Sequence, residues 1–301
     1  MSEIKTLIVD EVYNGIRIDK YLTEILSDKS RSFIKRYFDE ERICLNDRIV
    51  KPSAKVYTND VITYTDVEII ETTISKQDIP LDIVYEDSDV VVVNKPSGMV
   101  VHPAFGHYEG TLVNALMYHC KDLSSINGVI RAGIVHRIDK DTSGLLVVCK
   151  NDASHESISE QLKAKTTTRK YYALVSGVIE HEFGKINAPI GRNPKNRQQQ
   201  AVVEDGKPSI THFKVLERLN DATLIECVLE TGRTHQIRVH LAYIGHPVLG
   251  DPIYGLRKHI SPNGQYLHAK TLGFIHPTTK EYMEFDSELP KDFVEKLESL
   301  R

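Results

Sequence analysis

The chain has 301 residues, more than one hydrophobic core usually serves, so two domains are expected, one of them large. Its 41% hydrophobic content supports folded cores, and a net charge of −4 excludes a uniformly basic nucleic-acid coat while permitting a basic face on an acidic body. Cys44, Cys120, Cys149 and Cys227 lie far apart, three of them in apolar runs, which excludes a CxxC metal knuckle or a small disulfide scaffold and points to buried, reduced thiols.

Met1 to Asp10 lacks the basic flank and apolar core of a signal peptide, and no run approaches the ~20 apolar residues of a membrane span. A cytoplasmic protein without membrane attachment is expected. Ile18, Tyr21, Leu22, Ile25 and Leu26 then fall on one face of a helix. Ser30 reads as the N-cap of a second helix carrying Phe33, Ile34, Tyr37 and Phe38, with Arg31, Lys35 and Arg36 projecting from its other side. Ile43 and Leu45 alternate before Asn46-Asp47, and Val56 to Tyr64 contains another β-prone run. Helix, helix, hairpin is the outline. From Arg17 to Lys55 there are ten Lys and Arg against seven acids, net +3, which leaves −7 for the remainder. A basic face of this kind attracts a polyanion through counterion release and neglects base sequence; the alternative is an ordinary solvated helix face.

The stretch from Glu68 to Asp78 is polar and acidic and reads as a linker, giving domains at 1–68 and 79–301 around a linker at 69–78. Beyond it lie short β-prone runs at Val90–Val93, Leu145–Cys149, Tyr171–Val175, Ile210–Leu216 and Ala222–Leu229, with few helical patterns. A mixed, largely antiparallel α+β sheet fits them better than βαβ winding. A surface helix is predicted over Asp152–Lys165, and another capped by Thr234 that runs through Ile237, Leu241 and Ile244 to Gly245.

Chemistry concentrates at three places. His136 to Leu146 is a polar loop between apolar runs, in which Arg137 and Lys140 flank Asp139 and favour an ionised acid there. Asp139 reads as a nucleophile or base, or as an Asx turn bonded to its own backbone. Tyr171 opens a strand in Arg169 to Val175, where packing is the ordinary role, and Arg238 lies in Gly232 to His240, where a solvated cation is the ordinary role.

Taken together these places resemble the RluA family of RNA pseudouridine synthases, in its branch that acts on large-subunit ribosomal RNA and carries an N-terminal S4 domain. The S4-type pattern is Arg17-Ile18-Asp19-Lys20-Tyr21-Leu22, then Ser30-Arg31-Ser32, then Ile43 to Asp47. The catalytic pattern is Asn94-Lys95-Pro96-Ser97-Gly98 through Pro103, His136 through Leu146, Lys170-Tyr171-Tyr172-Ala173, and Thr231 through His240 with Gly245 to Asp251. The resemblance covers essentially the whole chain. It implies that Asp139 is the essential aspartate, that Tyr171 packs against the target uracil, that Arg238 pairs with the aspartate, and that Arg137 helps to hold a flipped nucleotide. It implies a monomer acting on a ribosomal RNA stem-loop, free or within a pre-ribosomal particle, with transfer RNA as the alternative substrate. Making pseudouridine involves no redox change, so neither cofactor nor metal is expected.

Arg31, Lys35 and Arg36, with Arg192, Lys195, Arg197 and Lys207 of a loop-rich segment, are candidate phosphate contacts. Gln199-Gln200 departs from relatives, which tend to carry methionine before the equivalent of Ala201-Val202, and puts the local RNA contact in question. Three other readings compete. Asp139 and Asp141 could be a glycosidase pair, although two acids so close in one loop rarely span a scissile bond. A metal site among the histidines lacks HExxH spacing, since His235 and His240 are five apart. A non-catalytic RNA-binding module would leave the set of Asp139, Tyr171 and Arg238 without a purpose.

Overall fold

The computed structural model describes residues 4–27, 29, 31–65, 74–103, 107–126, 128, 131–196 and 199–301, apart from the side chains of Arg31, Ser32, Arg36 and His259. The chain divides into two units, Met1–Thr73 and Ile74–Arg301. The linker expected at 69–78 straddles that division. Its first half, 69–73, lies outside the described residues, whereas Ile74 is buried in the second unit's core and the Asn114 side-chain amide donates to the Ser75 carbonyl at 2.8 Å.

The first unit runs β1 (Ile4–Ile8), α1 (Ile18–Ile25), α2 (Arg31–Asp39), β2 (Ile43–Leu45), β3 (Arg48–Ile49) and β4 (Val61–Thr65). Ile18, Tyr21, Leu22 and Leu26 meet Ile34, Tyr37 and Phe38, and both helices pack on Ile43, Val56, Ile62 and Tyr64. Lys35 stays exposed; the Ser30 cap and the side chains of Arg31 and Arg36 lie outside the described residues. The hairpin β2–β3 turns at Asn46 and Asp47, whose φ values of 49° and 63° are both left-handed, as a type I′ turn requires. The run at Val56–Tyr64 is strand only from Val61, because Asn59 turns left-handed at φ 67° and Asp60 accepts the Tyr57 N–H. β1 pairs antiparallel with β4, from Ile4 against Thr65 to Ile8 against Val61. The sequence carries no signal for it: Ile4 and Ile8 are 69% and 67% exposed on an edge strand, so no buried alternating face exists to be read.

The second unit continues with β5 (Ile83–Glu86), β6 (Val90–Lys95), α3 (Leu112–His119), β7 (Ser143–Cys149), α4 (Asp152–Ala164), β8 (Thr168–Ser176), β9 (Phe183–Asn187), β10 (Ile190–Arg192) and β11 (Gln200–Val202). It ends with β12 (Ile210–Leu219), β13 (Ala222–Leu229), α5 (Gln236–Tyr243), β14 (Leu267–Ile275), β15 (Tyr282–Asp286) and α6 (Lys291–Glu298). One sheet takes the order β5-β6-β7-β14-β8-β13-β12-β9, with β15 on the far half of β14, while β10 and β11 form a separate ribbon. Its pairings are antiparallel except β7 with β14, where His268 faces Ser143 and Ala269 faces Gly144. The sheet is therefore mixed and largely antiparallel.

Strand alternation sends side chains to two buried faces. Val91, Val93, Leu146, Val148, Tyr171, Ala173 and Ile225 join one core with Leu112 and Leu116 of α3 and Ile237 and Leu241 of α5. Opposite them, Val90, Val92, Leu145 and Val147 pack with Ile158 of α4, and Leu174 and Leu224 with Phe293 and Leu297 of α6. The helix at α4 is thus no mere surface element, since Ile158 is fully buried. At the centre, Gly144 has φ +112°, and a Cβ there would stand 2.3 Å from the Ala269 carbonyl oxygen. Only glycine lets β7 start so close to β14.

α5 begins later than the sequence predicts, and Thr234 is not its cap. His235 occupies that place, left-handed at φ 58° and without a side-chain cap bond. Buried Gln236 shapes the turn instead: its oxygen accepts from Arg233 N–H and Thr231 Oγ1, and its nitrogen donates to Ile210 O and Thr211 Oγ1.

Candidate active site

The loop 136–142 feeds β7 at its junction with β14, and it is held from several sides. Val147 N–H donates to His136 Nε2 at 3.1 Å, and Gln265 Nε2 to Thr142 Oγ1 at 3.0 Å. Asp139 closes the turn with its backbone carbonyl, which accepts Thr142 N–H at 3.1 Å; its carboxylate is turned elsewhere, unlike an Asx turn. Lys95, 1% exposed, donates to the carbonyls of Pro96, Met99 and Lys140 at 2.7, 2.8 and 2.9 Å. Burial brings its pKa down to about 7 against the pull of Asp141 and Asp139, yet the three carbonyls match the three donors of an ammonium.

The carboxylate of Asp139 meets Arg238 of α5, whose Nη1 donates to Oδ2 at 2.9 Å. The same guanidinium grips Asp251 through Nε and Nη2, at 2.7 and 2.9 Å. Asp251 is fully buried, and its Oδ1 also accepts the N–H groups of Ile253 and Tyr254. Burial alone would raise Asp251, but the Arg238 bonds and charge and these two N–H groups bring it below the usual carboxylate range. For Arg238 burial opposes the charge, and the two carboxylates more than restore it. Arg238 is therefore a fixed cation backed by one buried anion and presented to another, not a solvated side chain.

Asp139, Arg238, Tyr171 and Arg137 line one cavity of about 90 Å³, with Arg169, His235 and Leu267 among the other walls. Tyr171, on β8, is 7% exposed; burial raises its phenol, against the charge of Arg169, so the hydroxyl keeps its proton at neutral pH. Arg137 Nη1 lies 3.3 Å from His102 Nε2. Asp139 is the one carboxylate among the described lining residues, so an Asp139–Asp141 glycosidase pair has no support. His240 is likewise committed elsewhere, to Thr211 Oγ1 and Ala188 O.

Gly232, Arg233 and Thr234 also border a neighbouring groove of about 460 Å³, lined by Arg192 and Lys207. Two of the candidate phosphate contacts thus adjoin the cavity; Lys195 is exposed, and Arg197 lies outside the described residues. In the first unit Lys35 shares a surface groove with Arg17 and Lys20. The Gln199-Gln200 departure bears on the site through its backbone, since Gln200 N–H donates to the Tyr254 hydroxyl at 3.0 Å. Sequence reasoning missed Asp251, Tyr254, His235 and Lys95 as site residues, although all but Tyr254 lie in quoted motifs. An acid thirteen residues from its arginine, on another element, signals nothing until the fold joins them.

A family model described as RNA pseudouridylate synthase matches residues 89–243. The chain is 57% identical over 285 residues to an uncharacterized RNA pseudouridine synthase of Bacillus subtilis, covering 95% of this chain and 94% of that one. It is 45% identical over 294 residues to the ribosomal large subunit pseudouridine synthase D of Zymomonas mobilis, covering 92% of each. Among solved structures, human RNA pseudouridylate synthase domain containing 1 is similar with a TM-score of 0.58 and 29% identity, covering 74% of this chain and 95% of that one. Likeness at this level, reaching nearly end to end, goes well beyond a shared fold: the chain belongs to the RNA pseudouridylate synthase family, in its RluA branch, whose members turn uridine into pseudouridine.

Proposed function

We propose that this enzyme isomerises uridines of large-subunit ribosomal RNA, with Asp139 as the reacting carboxylate. The observation that carries this reading is the one carboxylate among the described cavity-lining residues, fixed by a buried arginine beside a protonated, buried tyrosine. The reaction cleaves the N1–C1′ bond, turns the freed uracil and rejoins it through C5. One anionic oxygen suffices whether it attacks the sugar, attacks the base or removes a sugar proton. Arg238 aims that anion. Tyr171 offers the detached base a flat wall and excludes water that would trap the intermediate. Because no electrons are gained or lost, the chemistry calls for no redox cofactor.

A paired uridine cannot enter so small a cavity, so the base must be flipped or lie in a loop, at a cost of a few kcal/mol of unstacking. Arg137 serves that flipped nucleotide, and Arg192, Lys207 and Arg233 give its flanking phosphates a cationic groove. The helix–helix–hairpin unit supplies an S4-type docking surface through Lys35 and its neighbours Arg31 and Arg36. The names of relatives such as the Zymomonas mobilis enzyme favour the large-subunit substrate. The reading takes the enzyme to be a monomer that works in the cytoplasm on a stem-loop, free or in a pre-ribosomal particle. Carbodiimide mapping of large-subunit and transfer RNA transcripts treated with the enzyme tests the substrate. New pseudouridines in large-subunit RNA are expected; modification of transfer RNA alone would reassign it.

A further inference from the structure

Beside Asp139 the cavity wall carries His235, which is backed by Tyr254, and neither has a part in the isomerisation above. His235 adopts a left-handed backbone, φ 58°, a conformation that non-glycine residues keep only where surroundings impose it and that gathers at functional sites. Its Nδ1 lies 2.9 Å from the Tyr254 hydroxyl, and the two rings meet edge to face at 5.6 Å. Its Nε2 lies 3.9 Å from Asp139 Oδ1, the oxygen that Arg238 does not hold. Tyr254 is itself fixed: its N–H donates to Asp251 at 3.0 Å, the Arg238 guanidinium lies over its ring at 5.1 Å, and its hydroxyl accepts Gln200 N–H.

A backbone N–H can only donate, so the Tyr254 oxygen accepts from Gln200, and among the described residues the acceptor in reach of its own proton is His235 Nδ1, which is the tautomer the proposal takes. The remaining proton of the neutral imidazole then sits on Nε2, facing Asp139. At 3.9 Å the two atoms are beyond hydrogen-bond reach, and the contact forms only if the carboxylate or ring closes that gap. Resting on the proposed role of Asp139, we propose that Tyr254 and His235 position its free oxygen: the Nε2–H donor takes one lone pair of Oδ1 when uridine fills the cavity and stops the carboxylate rotating about the Arg238 bond. His235 is a positioning residue. The charged groups facing it are Asp139, Arg238, Asp251 and Arg137; burial lowers its pKa, Asp139 and Asp251 raise it, and Arg238 and Arg137 lower it, with a net fall that keeps the ring neutral at neutral pH.

The test is single-turnover rate and RNA affinity of the full chain on a stem-loop labelled at its target uridine, across pH, with Asp139→Asn as the inactive reference. His235→Leu should slow the rate roughly tenfold, the effect of one orienting hydrogen bond, with affinity within about twofold. His235→Gln keeps an N–H at the Nε2 position and should recover most of that rate. Protonation of His235 in acid keeps Nε2–H facing Asp139, so it adds no acid limb of its own, and wild type and the Gln variant should share one pH profile. Nitrogen NMR should show His235 as the Nε2–H tautomer, with the preference lost in Tyr254→Phe. A wild-type rate in His235→Leu, equal losses in the Leu and Gln variants, or an Nδ1–H tautomer would overturn the proposal while leaving the function intact. An inactive wild type would overturn both.

Discussion

At Arg238 one guanidinium serves two carboxylates of different standing. Asp251 is buried and makes two charge-assisted bonds to it; Asp139 is partly open to the cavity and makes one. The buried pair sets the arginine's position, and the arginine sets the position of Asp139. Asp251→Ala takes two charge-assisted bonds from a buried guanidinium and orphans the N–H groups of Ile253 and Tyr254, so it should destabilise the second unit by about 3–5 kcal/mol and remove activity with it. Asp139→Asn keeps an acceptor for Arg238 and should cost less than about 1 kcal/mol. Urea titration followed through the tyrosines distinguishes them; equal stability of the two variants would contradict this division of roles. Asp139, Tyr171, Arg137 and Arg238 were legible because short motifs mark them. Asp251 and the Tyr254–His235 pair were not, because their meaning lies in contacts between elements that no local pattern encodes.

The element that matters most is the short connection from His136 to Thr142 into β7, clamped by Lys95 and Gln265 and stopped against β14. The clamp depends on Gly144. A Cβ there would enter the Ala269 backbone, so Gly144→Ala should cost about 2–3 kcal/mol and displace Asp139. Gly98→Ala, left-handed at φ +85° but with nothing within 4 Å, should cost only about 1–2 kcal/mol from backbone strain. Urea midpoints of the two variants check this, and a Gly144→Ala protein as stable as Gly98→Ala would refute the close approach. The runs at Val90, Leu145, Tyr171, Ile210 and Ala222 announce their strands through β-branched and apolar residues. β14 does not, because it is buried almost throughout and carries His268 and Thr271 inside, which breaks any alternation. Its role as the parallel neighbour of β7 could be seen only in the fold.

Across the whole molecule the positive charge is local: Arg17 to Lys55 carries net +3, while the first unit as a whole carries net −3. If that unit docks RNA, Lys20→Ala and Lys35→Ala should weaken binding about equally for any sequence and lower the salt slope by about 1 each. Titrations at several salt concentrations decide it, and an unchanged slope would remove the unit from the docking role. The two-unit organisation was readable from length and from the acidic stretch near residue 70; the exact join was not, since Ile74 is an apolar residue claimed by the second core. Chemistry itself is tested most directly by tritium release from large-subunit RNA labelled at uracil C5, with wild type and Asp139→Asn side by side and no added cofactor or metal. Release by the wild type alone, with RNA affinity equal in both, is the predicted result; release by Asp139→Asn at the wild-type rate would contradict the assignment of Asp139.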